Sequence, residues 1–139
     1  MKWVLDSSFA LAWGLPDETS LQAQQFLEHL SEGDALWVPA LWWYEISNAL
    51  VVAQRRRRLS ESDRFNLLDL YGELPLHTDT HLTSEIAGRL QGLAHEHELS
   101  AYDAAYLELA IRKSASLATL DRKLAAVARQ VGIVGRNEE

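Results

Sequence analysis

A chain of 139 residues, 47% hydrophobic and 24% charged, is long enough for one domain with a true core. Cysteine is absent, which excludes disulfides, thiolate metal sites and thiol nucleophiles together and suits a cytoplasmic protein. The net charge of −7 argues against a general nucleic-acid coat, so any action on nucleic acid would need metal ions or local arginine patches. No apolar run approaches the ~20 residues of a membrane span, and no basic-then-apolar signal segment opens the chain.

In chain order, Lys2 to Asp6 reads as a short strand and Ser7 to Leu15 as a helix stopped by Gly14 and Pro16. A helix over Asp17 to Ser31 carries Ala23, Phe26, Leu27 and Leu30 at helical spacing. Leu36 to Val38 is a second strand closed by Pro39, and a long helix runs from Ala40 to Arg57. Ser60 caps a helix bearing Phe65, Leu68 and Tyr71. Leu74 to Thr78 reads as a third strand, with Pro75 marking an edge position or an irregular start. A helix over Thr83 to Glu98 follows, and Ser100 caps another through Leu107, Ala110 and Ile111. Ser116 to Thr119 is a short buried strand. The last helix aligns Leu124, Val127, Ala128 and Val131, and Ile133-Val134 reads as a final strand. Alternating strands and helices predict an α/β fold, a mostly parallel sheet with helices on both faces. Residues 1–135 form the single domain and 136–139 a loose tail.

Four acids fall on one predicted rim. Asp6 ends the first strand, Asp103 lies in the first turn after Ser100, and Asp121 follows the strand at Ser116 to Thr119. Glu45 is the only charged residue in Leu41 to Ile46, with Asn48 three residues on and on the same helical face. The carboxyl edge of a parallel sheet is where open α/β folds place ligands. Four acids on one dry rim would repel or protonate unless a cation held them. All-oxygen donors favour Mg²⁺ or Mn²⁺, ions that polarise phosphodiesters and generate hydroxide. Taken singly, each acid has a plainer reading: Asp103 or Asp121 as a helix cap, Asp6 as a turn residue, Glu45 as a side chain reaching solvent.

The segments Val4-Leu5-Asp6-Ser7-Ser8, Tyr44 to Leu50, Tyr102 to Ala110 and Ala118 to Leu124 together resemble PIN-domain proteins, most of all the VapC-like ribonuclease toxins. The resemblance covers nearly the whole chain in order. It implies a three-layer α/β/α sandwich and Mg²⁺- or Mn²⁺-dependent endoribonuclease activity. It also implies a cognate antitoxin whose C-terminal segment blocks the site, and a homodimer. By position, Asp6, Glu45, Asp103 and Asp121 match the family's acidic ligands, the first three for a principal metal and Asp121 in support or for a second ion. Ser8, Thr119 and Asn48 match polar residues that orient carboxylates or waters. Tyr102 departs from the pattern, standing where many relatives carry Arg or another polar residue.

Arg55-Arg56-Arg57-Arg58 is the one dense basic run, either a solvated helix end or a contact to an RNA backbone. Of the five tryptophans, Trp13, Trp42 and Trp43 are candidates for lining a groove, the others for the core. His95 and His97 point apart on a helix and make a poor metal pair. Two competing functions remain: a phosphatase-type enzyme with Asp6 as nucleophile, which lacks a second Asp two residues on, and a non-catalytic PIN-fold binding module.

Overall fold

The structure, a computed structural model, describes residues 1–133. Strand β1 (Lys2–Leu5) is followed by helices α1 (Ser7–Gly14) and α2 (Leu21–Glu28), then by β2 (Ala35–Pro39). Helices α3 (Ala40–Arg55) and α4 (Glu61–Glu73) lead to β3 (Leu76–Asp79). Helices α5 (Ser84–His97) and α6 (Ala101–Lys113) lead to β4 (Ser116–Ala118), and α7 (Arg122–Gln130) closes the described chain.

The strands pair in the order β3-β2-β1-β4, every described pairing parallel. Parallel neighbours need crossovers, and right-handed crossovers put α1 to α4 on one face and α5 and α6 on the other. The result is the α/β/α sandwich anticipated from the alternation. Because β2 and β4 flank β1, the chain leaves β1 on one side and returns on the other, making a switch point between β1 and β4. The crevice outside the carboxyl ends of those strands is the standard ligand position of such sheets.

Strand burial follows the two-sided cover: Val4, Leu5, Leu36, Val38, Leu117 and Ala118 are all buried. Phe26 of α2 receives Trp3 and Phe9 edge-on at centroid distances of 5.1 and 5.3 Å. Gly14 lets α1 and α4 approach: a Cβ there would lie 2.5 Å from the Tyr71 hydroxyl, which donates to the Ala10 carbonyl at 2.6 Å.

Several boundaries move from their expected places for local reasons. The second helix begins at Leu21, not Asp17, because the Ser20 hydroxyl caps it through the Ala23 N–H. Asp17 and Glu18 instead bind Arg58. The third helix stops at Arg55, since Arg57 takes a left-handed conformation with φ of 58°. In α4 only Tyr71 is buried, and Phe65 and Leu68 face solvent. Strand β3 starts after Pro75 and lies at the sheet edge, as its proline required. Ile133 lies outside any strand, and Val134 and the tail at 136–139 lie outside the described residues.

Edge strand β3 is tied to α6 by a network that sequence reading did not pick out. Arg112 bonds Glu108 one turn earlier at 2.8 Å and grips Asp79 with two nitrogens at 3.0 and 2.8 Å. The guanidinium holds the Asp79 carboxyl below its ordinary range. Glu108 is buried, so removing Arg112 would strand its charge. Arg112→Met is expected to cost ~3 kcal/mol in urea unfolding; a loss under ~1 kcal/mol would show the pair to be dispensable.

Candidate active site

Asp6 sits immediately beyond β1, where its N–H bonds the Ala118 carbonyl of β4 at 2.9 Å. Its side chain makes no cap to α1 and is buried at the switch point. Oδ2 accepts from the Thr119 hydroxyl at 2.5 Å and from the Ser8 hydroxyl at 3.0 Å. Both hydroxyls are themselves anchored: Ser8 Oγ accepts the Leu120 N–H and Thr119 Oγ1 the Asp121 N–H, each at 3.0 Å. The β1 and β4 turns are thereby laced together around one carboxylate.

Glu45 lies in the second turn of α3, half-buried, and its Oε1 accepts from Ser7 at 3.3 Å and from the Tyr106 hydroxyl. Ser7 also lies 3.5 Å from Asp6 Oδ1, so it bridges the two acids. Asp103 is half-buried in the first turn of α6, and Ser100, not Asp103, caps that helix through the Asp103 N–H at 3.0 Å. Asp121 is exposed and does cap α7, accepting the Leu124 N–H at 3.1 Å. For Asp121 the capping reading therefore holds, and its second carboxylate oxygen takes no part in the cap.

The charges feel one another in a row. Burial lifts the Asp6 carboxyl from 3.8 to about 6; hydrogen bonds from Thr119 and Ser8 oppose the rise, and the charges of Glu45 and Asp103 add to it. Asp103 is raised by burial and then by Asp121, with Ser100 and Lys123 acting against the rise. The Tyr106 phenol is pushed up by burial and by Asp6 and Glu45, so it stays a donor. Among the described residues no group of three His, Asp or Glu side chains is placed so that it could hold a metal ion without side-chain movement. The donor set is nevertheless all carboxylate and hydroxyl oxygen, which favours a hard divalent ion such as Mg²⁺ or Mn²⁺.

The other candidates separate. Asn48 is exposed on α3, one turn beyond Glu45, and forms no side-chain hydrogen bond among the described residues. Arg55, Arg56 and Arg57 are exposed at the far end of α3, ~15 Å of helix from Glu45. Arg58 is committed to Asp17 at 2.6 and 2.7 Å. Trp42 is fully buried, while Trp13 bonds the Ala23 carbonyl and Trp43 the Thr78 hydroxyl. Beside Asp103, exposed Tyr102 joins Leu41, Leu82, Ile86 and Leu90 in lining an apolar groove of about 350 Å³. Ser7 and Tyr106 were missed as contributors to the site. Tyr106 had a signal, standing three residues after Asp103 on the same helical face.

The folded Asp6 value lies above the unfolded one, so ionised Asp6 opposes folding. That cost is absent below about pH 4, grows toward pH 6 and is complete above it. Asp6→Asn is expected to stabilise the metal-free protein by ~2–3 kcal/mol at pH 8 and to change little near pH 4. Urea unfolding in EDTA at both pH values checks this; equal effects at both would contradict it.

The PIN domain family model matches residues 3–130. The chain is 35% identical over 125 residues to Ribonuclease VapC3 of Pyrobaculum aerophilum, covering 90% of this chain and 93% of that protein. Its fold resembles VapBC2 of Rickettsia felis bound to a promoter DNA fragment, with a TM-score of 0.69 at 13% identity, over 97% of each chain. It also resembles VapC20 of Mycobacterium tuberculosis, a sarcin-ricin loop cleaving toxin, with a TM-score of 0.65 at 14% identity, over 95% of this chain and 96% of that one. The match along nearly the whole sequence and the shared sheet topology make one statement: the chain belongs to the PIN-domain family.

Proposed function

We propose that this protein is a metal-dependent endoribonuclease, the toxin of a toxin–antitoxin pair, acting in the cytoplasm. The observation that carries the reading is buried Asp6 at the switch point, its carboxyl raised by Glu45 and Asp103, with Asp121 in turn raising Asp103 and only Lys123, among the described residues, acting as a cation against these charges. The identity to Ribonuclease VapC3 over most of both chains supports it independently.

Asp6, Glu45 and Asp103 would hold a Mg²⁺ or Mn²⁺ ion, with Asp121 supporting it or a second one. Once bound, such an ion supplies charge neutralisation on a phosphodiester and a water that ionises near neutral pH. The chain's own work is orientation. Thr119 and Ser8 fix Asp6, Ser7 and Tyr106 fix Glu45, and Asn48 is free to meet a water or the substrate. Arg55, Arg56 and Arg57 would meet an RNA backbone only along a strand extending well past the acids, and Arg58 contributes to folding instead.

A protein partner is part of the reading, because solved neighbours include a VapBC complex and a toxin–antitoxin complex from Klebsiella pneumoniae. The apolar groove beside Asp103, with exposed Leu82 and Tyr102 in its lining, offers surface for an antitoxin segment or a second copy in a homodimer.

Incubation with total RNA tests the activity. Discrete fragments are expected in Mn²⁺ or Mg²⁺, none in EDTA, and a loss of at least ~100-fold for Asp103→Asn with the fold retained. Cleavage that survives EDTA, or an active Asp103→Asn, would sink the assignment. Metal-dependent stabilisation without cleavage of any RNA would favour the binding-module alternative.

A further inference from the structure

The two most interior acids of the site are held alike. Asp6 receives Ser8 and Thr119 on Oδ2, leaving Oδ1, among the described residues, with only the long contact from Ser7 at 3.5 Å. Glu45 receives Ser7 and Tyr106 on Oε1, and among the described residues no hydrogen bond reaches Oε2. Each carboxylate therefore has one oxygen tied to the protein and one left over.

The Glu45 arrangement is the less expected of the two. Glu45 rides on α3 and Tyr106 on α6, helices that cover opposite faces of the sheet. The Tyr106–Glu45 bond thus reaches over the carboxyl edge, and it comes from the helix that also carries Asp103 one turn earlier. Tyr106 is completely buried, so its ring has no freedom to swing and its hydroxyl is a fixed donor. A half-buried glutamate has three rotatable bonds, and without such a tether its carboxylate would sample many positions.

We propose that Tyr106, assisted by Ser7, is a positioning residue that ties Glu45 by Oε1 and so presents Oε2 as a ligand for the site's divalent cation. This inference rests on the divalent-cation reading above. Outer partners of metal-binding carboxylates commonly govern affinity 10–100-fold without touching the ion.

The test measures Mn²⁺ affinity by titration calorimetry and by the electron paramagnetic resonance signal of free Mn²⁺. The proteins are wild type, Tyr106→Phe, Ser7→Ala, Glu45→Gln and the Glu45→Gln/Tyr106→Phe double variant. Tyr106→Phe removes one oxygen and keeps the packed ring. It is expected to weaken Mn²⁺ binding about 10-fold, with an unchanged thermal midpoint in EDTA. Ser7→Ala is expected to weaken it less. In the Glu45→Gln background, Tyr106→Phe should add no further loss, since its effect runs through that carboxylate. Unchanged affinity in Tyr106→Phe, or an equal loss with and without Glu45, would overturn the positioning role. Should Tyr106→Phe fail to fold, Ser7→Ala decides: unchanged affinity there also overturns it. A wild type that does not bind Mn²⁺ would overturn the cation reading itself, a result distinct from either.

Discussion

A carboxylate buried at the parting of two strands sets the terms for the rest of this molecule. Asp6 lies where β1 and β4 diverge, and its charge is costly there, with burial and the neighbouring acids both driving its carboxyl toward the protonated form. Among the described residues no arginine or lysine relieves that cost at Asp6. It supplies hydroxyl donors instead, from Ser8 and Thr119, each held by a backbone N–H from the β4 turn. Donors of this kind orient a carboxylate while leaving its charge largely uncancelled. Stability is given up where, on the proposed reading, an external cation would restore it.

The contrast with the other acid cluster makes the point sharper. Asp79 and Glu108 are also partly or fully buried, yet both are satisfied by Arg112 at hydrogen-bonding distance. That cluster fastens the edge strand to α6 and has no need of a ligand. Among the described residues Asp6, Glu45, Asp103 and Asp121 have no such partner, apart from the influence of Lys123 on Asp103. Two groups of carboxylates on one small domain thus have opposite roles, distinguished by whether a guanidinium stands between them.

Much of this was legible in the sequence because the signals were local. Strand–helix alternation indicated the α/β sandwich, and capping serines at Ser60 and Ser100 marked helix starts that the structure keeps. Asp6 follows a strand, Asp103 and Asp121 stand at helix starts, and Glu45 lies in the second turn of the helix after β2, so their place toward the carboxyl edge of the sheet could be anticipated from element order. What escaped depends on contacts between distant elements. Asp17 looked like a helix start but is claimed by Arg58, forty-one residues away in the chain. Phe65 and Leu68 had helical spacing, yet α4 packs through Tyr71 and Leu67 and leaves them outside. Tyr106 was visible as part of a motif, but its hydroxyl has meaning only once α6 faces Glu45 on the other side of the sheet. Asn48 shares Glu45's helical face as expected and points to solvent all the same.

On the proposed reading, Asp6, Glu45 and Asp103 hold one divalent ion at the switch point. Anomalous scattering from crystals soaked in Mn²⁺ would locate that ion. A Mn²⁺ peak is expected among the free carboxylate oxygens of these three residues, with Thr119, Ser8 and Tyr106 still bonded to the opposite oxygens. A peak elsewhere on the protein, or none at saturating Mn²⁺, would contradict it.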